Sequence, residues 1–176
     1  MENRSQLFYE ELETPIGSMT IIMSHQGVCR IDFGGMARIS LSLKAWSKRY
    51  FLTTTFVENP SRTAALKQQL HEYFHEGRKT FDVAFDLHGT TFQQKVWKCL
   101  LEDVPYGETR SYKDIAQCIQ APKAIRAVGG AINKNPLAIV IPCHRVIGSN
   151  GSLVGYNGGM EKKKQLLLLE KALVEV

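Results

Sequence analysis

No run of 18 apolar residues occurs in the chain, so no membrane-spanning helix is expected. Its first residues, MENRSQLFYEELE, are acidic and polar, which does not fit a signal peptide. A cytoplasmic protein is therefore expected. Cysteine is scarce. Cys29, Cys99, Cys118 and Cys143 show neither a CxxC motif nor a Cys/His ligand spacing, so no metal cluster is expected and, without an export signal, no disulfide. His25 and Cys29 straddle a turn at Gly27 and share no ligand geometry. No phosphate loop or acidic cluster is visible in the first half, and no cofactor and no metal site are expected. Charge of one sign is also in short supply. The net charge is +5, with 12 Lys and Arg against 8 Asp and Glu in residues 86–176 and 10 against 9 in residues 1–85. That small basic excess in the second half suits a polyanionic partner, but it suits an ordinary solvated surface equally well.

The 176 residues, 44% of them hydrophobic, are enough for two small domains. Residues 6–13, 18–24 and 28–33 read as an antiparallel meander with turns at Pro15-Ile16-Gly17 and His25-Gln26-Gly27. A helix over 39–50 is expected to turn Leu41, Ala45 and Trp46 inward. A second, capped by Ser61 and running to His75, carries Leu66, Leu70, Tyr73 and Phe74 as its stripe. Thr80–Phe85 reads as a further strand. The fold class expected is an α/β domain over 1–85, scaffolding in role, joined through DLHGT at 86–90 to a mainly α domain over 86–176.

In the second half, helices are expected over 92–104, from Ser111 to about Gln120 with Asp114 completing a capping box, and from Pro122 to Asn133. The last two, separated by Ala121-Pro122, form a helix-turn-helix pattern. Ala124, Ala127, Gly129, Gly130 and Ala131 leave that third helix nearly bare, with Arg126 as the long side chain in its middle. Each internal glycine costs roughly 1 kcal/mol against alanine, so something must approach closely. A neighbouring helix and a nucleic-acid groove both satisfy that requirement.

Asn135–Ile147, NPLAIVIPCHRVI, holds the candidate chemistry. Leu137–Ile141 reads as a short buried strand stopped by Pro142, which places Cys143 at a turn with His144 and Arg145 beside it to favour thiolate. Adjacent side chains on a turn seldom face each other, so a water is expected to carry a proton between Cys143 and His144. In the final helix, from Glu161, Glu170 falls among Leu166, Leu169 and Leu173; a carboxylate buried there needs a partner or a raised pKa, with His144 as the candidate, unless it snorkels at the edge of the stripe or pairs with a basic residue such as Arg145. A buried structural cysteine explains the same pattern without chemistry. So, in part, does a thiol hydrolase built on Cys143, His144 and Glu170.

Pro142-Cys143-His144-Arg145-Val146 with Asn135 upstream resembles the active-site signature of the O6-alkylguanine-DNA alkyltransferases. Arg126–Ala131 resembles that family's DNA-binding helix, Ser111-Tyr112 the start of the preceding helix, Gly155–Gly159 its substrate loop, and Glu170 its relay carboxylate. The resemblance implies a ribonuclease H-like first domain and a winged-helix-like second. It further implies irreversible alkyl transfer from O6-alkylguanine in double-stranded DNA to Cys143, after base flipping from a helix held in the minor groove. Arg126 would fill the vacated stack, with Ala127, Gly129 and Gly130 against the duplex. Tyr112 would donate to a guanine ring nitrogen, the backbone carbonyls of Cys143 and Val146 would accept from the exocyclic amine, and Tyr156 would wall the pocket. Asn157 stands where many relatives have serine, and Asn135 would tie the helix-turn-helix to the active-site turn. A monomer is expected. The sequence leaves open O4-alkylthymine as a substrate, cooperation on DNA, and a role confined to damage recognition.

Overall fold

The computed structural model describes residues 6–52 and 55–174, and these fall into two compact units divided between His88 and Gly89. In the first, β1 (Gln6–Thr14), β2 (Gly17–Met23) and β3 (Val28–Phe33) form the expected antiparallel meander. Thr14 Oγ1 donates to the Gly17 carbonyl at 2.7 Å, and Gly17 closes the hairpin at φ +109°. A fourth strand, β4 (Thr55–Glu58), adds in parallel to β1, giving the order β3-β2-β1-β4. The sheet is thus mixed rather than antiparallel. A parallel pairing is made through a crossover, here by way of α1, and leaves no local turn signal to read.

Helix α1 (Met36–Phe51) turns Ile39, Leu43 and Ser47 inward. Ile39 and Leu43 meet Leu7, Ile22 and Cys29 in one cluster, with Trp46 at its margin. Leu41, expected on that face, is 83% exposed, and Ala45 is exposed with it; the buried stripe runs through Ile39 and Leu43, and Leu41 lies two residues from each, about 200° around the helix. Helix α2 (Pro60–His75) is capped by Asn59, whose side chain accepts from Arg62 N–H, and opens on Pro60, not Ser61. Leu66, Leu70 and Tyr73 are its buried stripe, each contributing about 1.5–3 kcal/mol of transfer free energy. Thr80–Phe85 is not a strand. Of it, Phe85 alone makes a bridge, to Val28, flanked by Val28 N–H to Ala84 O and Asp86 N–H to Val28 O, both at 2.9 Å.

The second unit contains α3 (Thr91–Asp103), α4 (Tyr112–Cys118), α5 (Ile125–Asn133) and α6 (Met160–Leu169). A two-residue parallel pair, β5 (Arg110–Ser111) with β6 (Val146–Ile147), accompanies them. Thr90 and Gln93 form a capping box at α3, and Ser111 and Asp114 form the expected one at α4. Val96, Trp97, Cys99 and Leu100 bury the inner face of α3, and Trp97 Nε1 donates to the Ala131 carbonyl at 2.9 Å. Helix α4 ends at Cys118. Gln120 at φ +58° and a turn closed by Ala124 N–H to Ala121 O at 2.9 Å delay α5 to Ile125. Pro122 therefore lies in the turn and does not open the helix, in keeping with its steric restriction of Ala121.

Candidate active site

Leu137–Ile141 is a coil, not a strand. Leu137, Ile139, Val140 and Ile141 are buried as expected. The backbone nevertheless folds on itself, with Val140 N–H donating to Ala138 O and Ile141 N–H to Leu137 O, both at 2.9 Å, and Ile139 at φ +71°. A short apolar run signals burial without fixing the backbone. Asn135 supports the coil. Its Oδ1 accepts from Leu137 N–H at 2.9 Å, and its Nδ2 donates to the Ile141 carbonyl at 2.8 Å and to Cys143 Sγ at 2.9 Å. The amide therefore touches the sulfur as well as the backbone, a contact the sequence did not reveal.

Cys143 opens a single 3-10 turn, Cys143–Arg145, and is 5% exposed. Burial pushes its thiol up to about 11, against the Asn135 hydrogen bond and the charge of Lys163. At neutral pH the resting sulfur is a thiol. The expected push toward thiolate from His144 and Arg145 is absent because both are engaged elsewhere. Glu170, the C-cap of α6, receives His144 Nε2 on Oε1 at 2.7 Å, Arg145 Nε on Oε2 at 2.8 Å and Arg145 Nη2 on Oε1 at 2.9 Å. Arg145 Nη1 donates to the Val104 carbonyl at 2.7 Å. The two partners considered for Glu170 are thus both used. Burial opposes its charge, but hydrogen bonds from His144 and Arg145, with the Arg145 charge, hold the carboxyl down at about 2. Burial lowers His144 despite Glu170 beside it, so the imidazole rests neutral. A carboxylate only accepts, so the proton sits on Nε2. Nδ1 is left as an acceptor, buried and without a hydrogen-bond partner.

Lys163 was hidden in the run Lys162-Lys163-Lys164 and is fully buried. Its Nζ donates to the carbonyls of Val146 at 2.5 Å, Val154 at 3.0 Å and Gly155 at 3.2 Å, so all three ammonium protons have acceptors. Burial lowers it to about 8, with the Cys143 charge pulling upward. It ties the loop after β6 to the turn that carries Cys143.

The other expected residues divide by location. Tyr112 Oη donates to the Val154 carbonyl at 2.9 Å, and Gly155 lies beside it at φ +58°, where an added Cβ would meet that hydroxyl at 3.5 Å. Burial, then the Cys143 charge, raises the Tyr112 phenol, and burial raises Tyr156 well above the ordinary value, so both keep their protons at neutral pH. The Val146 carbonyl, expected to take a purine amine, holds Lys163. Asn157 is exposed. On α5, Val128, Ala131 and Ile132 face inward, while Arg126, Ala127 and Gly130 face out and Gly129 is half-buried. A Cβ at Gly130 would meet nothing within 4 Å, and one at Gly129 would meet only the Tyr112 ring at 3.9 Å. Internal helix packing therefore does not require either glycine.

One correction concerns cysteine. Cys99 and Cys118 are disulfide-linked, while Cys29 and Cys143 are free. The pair joins α3 to the end of α4 across 19 residues, a spacing without a motif. Among the described residues, Cys99, Asp103 and Cys118 are also the group whose ligand-type atoms lie within 4.8 Å of one another. No helix among the described residues is long and apolar enough to cross a membrane.

These two units, a small α/β sheet domain and a helical domain in which a buried cysteine precedes a histidine hydrogen-bonded to a carboxylate, define a two-domain protein with a candidate cysteine nucleophile. Residues 7–87 match the ribonuclease-like domain of 6-O-methylguanine DNA methyltransferase, and residues 91–172 match its DNA-binding domain. The methylated-DNA–protein-cysteine methyltransferase of Methanosarcina barkeri is 43% identical over 165 residues, covering 94% of this chain and 98% of the relative. The constitutive enzyme of Bacillus subtilis is 44% identical over 163 residues, covering 92% and 93%. The crystal structure of Mycobacterium tuberculosis OGT in complex with DNA superposes with a TM-score of 0.78 at 42% identity, covering 93% of this chain and 92% of that one. The chain belongs to the methylated-DNA–protein-cysteine methyltransferase family.

Proposed function

We propose that this protein repairs double-stranded DNA by a single, irreversible transfer of an alkyl group from the O6 of guanine to Cys143. The observation that carries this reading is the state of His144: Nε2 is fixed on Glu170, and Nδ1, the remaining acceptor, is buried without a partner next to Cys143 in the chain. A thiol resting near 11 needs such a base. In the reaction the Cys143 proton passes through a water to Nδ1, the sulfur attacks the alkyl carbon in line, and a carbon–sulfur bond forms as the carbon–oxygen bond breaks. The electron pair stays on guanine, where Tyr112, still protonated, donates to a ring nitrogen. The Asn157 backbone N–H serves O6. The thioether is stable and no group in the site reverses it.

The substrate atom is hidden inside the duplex, so the nucleotide must be extruded. The outward face of α5 suits a groove with little sequence code: Gly130 meets open space, and Arg126 projects to occupy the gap. Entry of the base requires Tyr112 to exchange the Val154 carbonyl for guanine. The first 85 residues act as scaffold and the segment from 86 onward as the alkyltransferase domain.

Intact-protein mass spectrometry after incubation with a duplex containing O6-methylguanine tests the reading. The expected result is one added methylene, mapped to Cys143 and saturating at one equivalent, and lost in Cys143→Ser with DNA binding retained. Binding without any mass change would leave damage recognition as the function, and continuing release of product beyond one equivalent would point to a hydrolase.

A further inference from the structure

We propose that Cys118 is a second reactive thiol, modified by peptide-like low-molecular-weight disulfides, and that Cys99 resolves the adduct into a reversible cross-link between α3 and α4. The pair lies in no part of the alkyl-transfer site. Cys99 is 4% exposed on the inner face of α3, whereas Cys118, the last residue of α4, is exposed. Their Cα atoms are 6.6 Å apart, within the span a disulfide bridges without backbone movement. One thiol can therefore be reached from solvent and the other is positioned to attack behind it.

The surroundings serve the reduced as well as the oxidised state. Asp103, one helical turn beyond Cys99, places Oδ2 at 3.3 Å from Cys118 Sγ, within reach of a hydrogen bond from the thiol when the bond is open. The sulfurs border an open cleft of about 300 Å³ lined also by Lys95, Lys98, Glu102 and Gln120. Two ammonium groups and two carboxylates around one cleft complement a zwitterionic ligand of the glutathione type. In the oxidising direction the Cys118 thiol loses its proton to solvent and the thiolate attacks the small disulfide. A mixed disulfide forms, and one small thiolate departs and takes up a proton. Cys99 then attacks the Cys118 sulfur, forming the internal bond and releasing the second small thiol; two electrons pass from the protein to the small disulfide. A reducing thiol attacking the exposed Cys118 sulfur reverses both steps.

Cys118 stands where α4 gives way to the turn that leads into α5, so the cross-link fastens the first helix of the helix-turn-helix to α3. The full chain, equilibrated across glutathione to glutathione disulfide ratios, is digested after trapping its free thiols and mapped by mass spectrometry. A Cys99–Cys118 linked peptide that grows with oxidant and disappears with reductant, while Cys143 remains trapped as a free thiol, is the expected result. The linked form is expected to melt on the order of 5–10 °C higher than the reduced form, and Cys118→Ser to abolish that difference while leaving the reduced protein folded. Three outcomes would overturn the proposal: no linked peptide at any ratio, a glutathione adduct that stays on Cys118, or zinc binding to the reduced pair that prevents linkage in zinc-containing buffer and not in chelator.

Discussion

His144 Nε2 and Glu170 Oε1 lie 2.7 Å apart, with both side chains wholly removed from water. The same carboxylate also carries Arg145, so replacing it strands a buried guanidinium. Glu170→Gln is expected to cost about 3 kcal/mol at neutral pH and to slow transfer by freeing the imidazole to turn. The pH dependence has a definite sign. The carboxyl falls from 4.5 to about 2 on folding, so its stabilisation is present above 4.5 and lost as pH falls toward 2, a contribution of roughly 3 kcal/mol. Urea unfolding of wild type and Glu170→Gln should therefore differ most above pH 4.5 and converge toward pH 2. A constant gap across that range would show that the carboxylate is not ionised in the fold.

Asn135 joins the coil, the turn and the Cys143 sulfur through its side-chain amide. Asn135→Ala removes donors to Ile141 O and Cys143 Sγ and an acceptor for Leu137 N–H. Leaving such groups unpaired costs about 1–3 kcal/mol each where water cannot replace the partner. Because that amide lowers the Cys143 pKa, the variant thiol should titrate higher than about 11 and react more slowly with a small alkylating reagent at fixed pH. Measured alkylation rates against pH check this; an unshifted profile would confine Asn135 to backbone support.

What could be read from the chain depended on whether the signal was local. The capping box at Ser111 and Asp114 and the Pro142–Val146 motif that pointed to the family are written in neighbouring residues, and both were legible. Strand β4 pairs with β1 across some fifty residues, and its partner cannot be inferred from a four-residue run. Leu137–Ile141 announced burial but not shape, because Asn135 supplies the hydrogen bonds that a strand would have taken from a neighbour. Lys163 stayed invisible because a lysine between two lysines reads as solvated surface. Only the three converging carbonyls explain its place inside.

Lys163→Met keeps the bulk of that side chain and removes its three hydrogen bonds. Transfer is expected to fall at least tenfold, since the loop bearing Gly155 and Tyr156 loses its tie to Val146, a change of about 1.4 kcal/mol or more. Folding lowers the lysine from 10.5 to about 8, which penalises its charged form. Stability should therefore rise with pH between 8 and 10.5 in a Cys143→Ser background, where the thiol no longer titrates. That rise should be missing when Lys163→Met is added. Its persistence would assign it to another group.

Gly130 separates a helix shaped for DNA from one shaped for packing. An added Cβ would meet nothing within 4 Å of this chain, and alanine is favoured over glycine within a helix by up to about 1 kcal/mol. Gly130→Ala should thus raise thermal stability while weakening duplex binding, two effects that a packing role cannot combine. Arg126→Ala supplies the complementary case. The side chain is exposed, so stability should stay within about 0.5 kcal/mol. Transfer from O6-methylguanine in duplex should fall at least tenfold, against an unchanged rate from the free alkylated base. Equal losses on both substrates would remove Arg126 from base extrusion, and unimpaired DNA binding by a stabilised Gly130→Ala would remove the bare face of α5 from the groove.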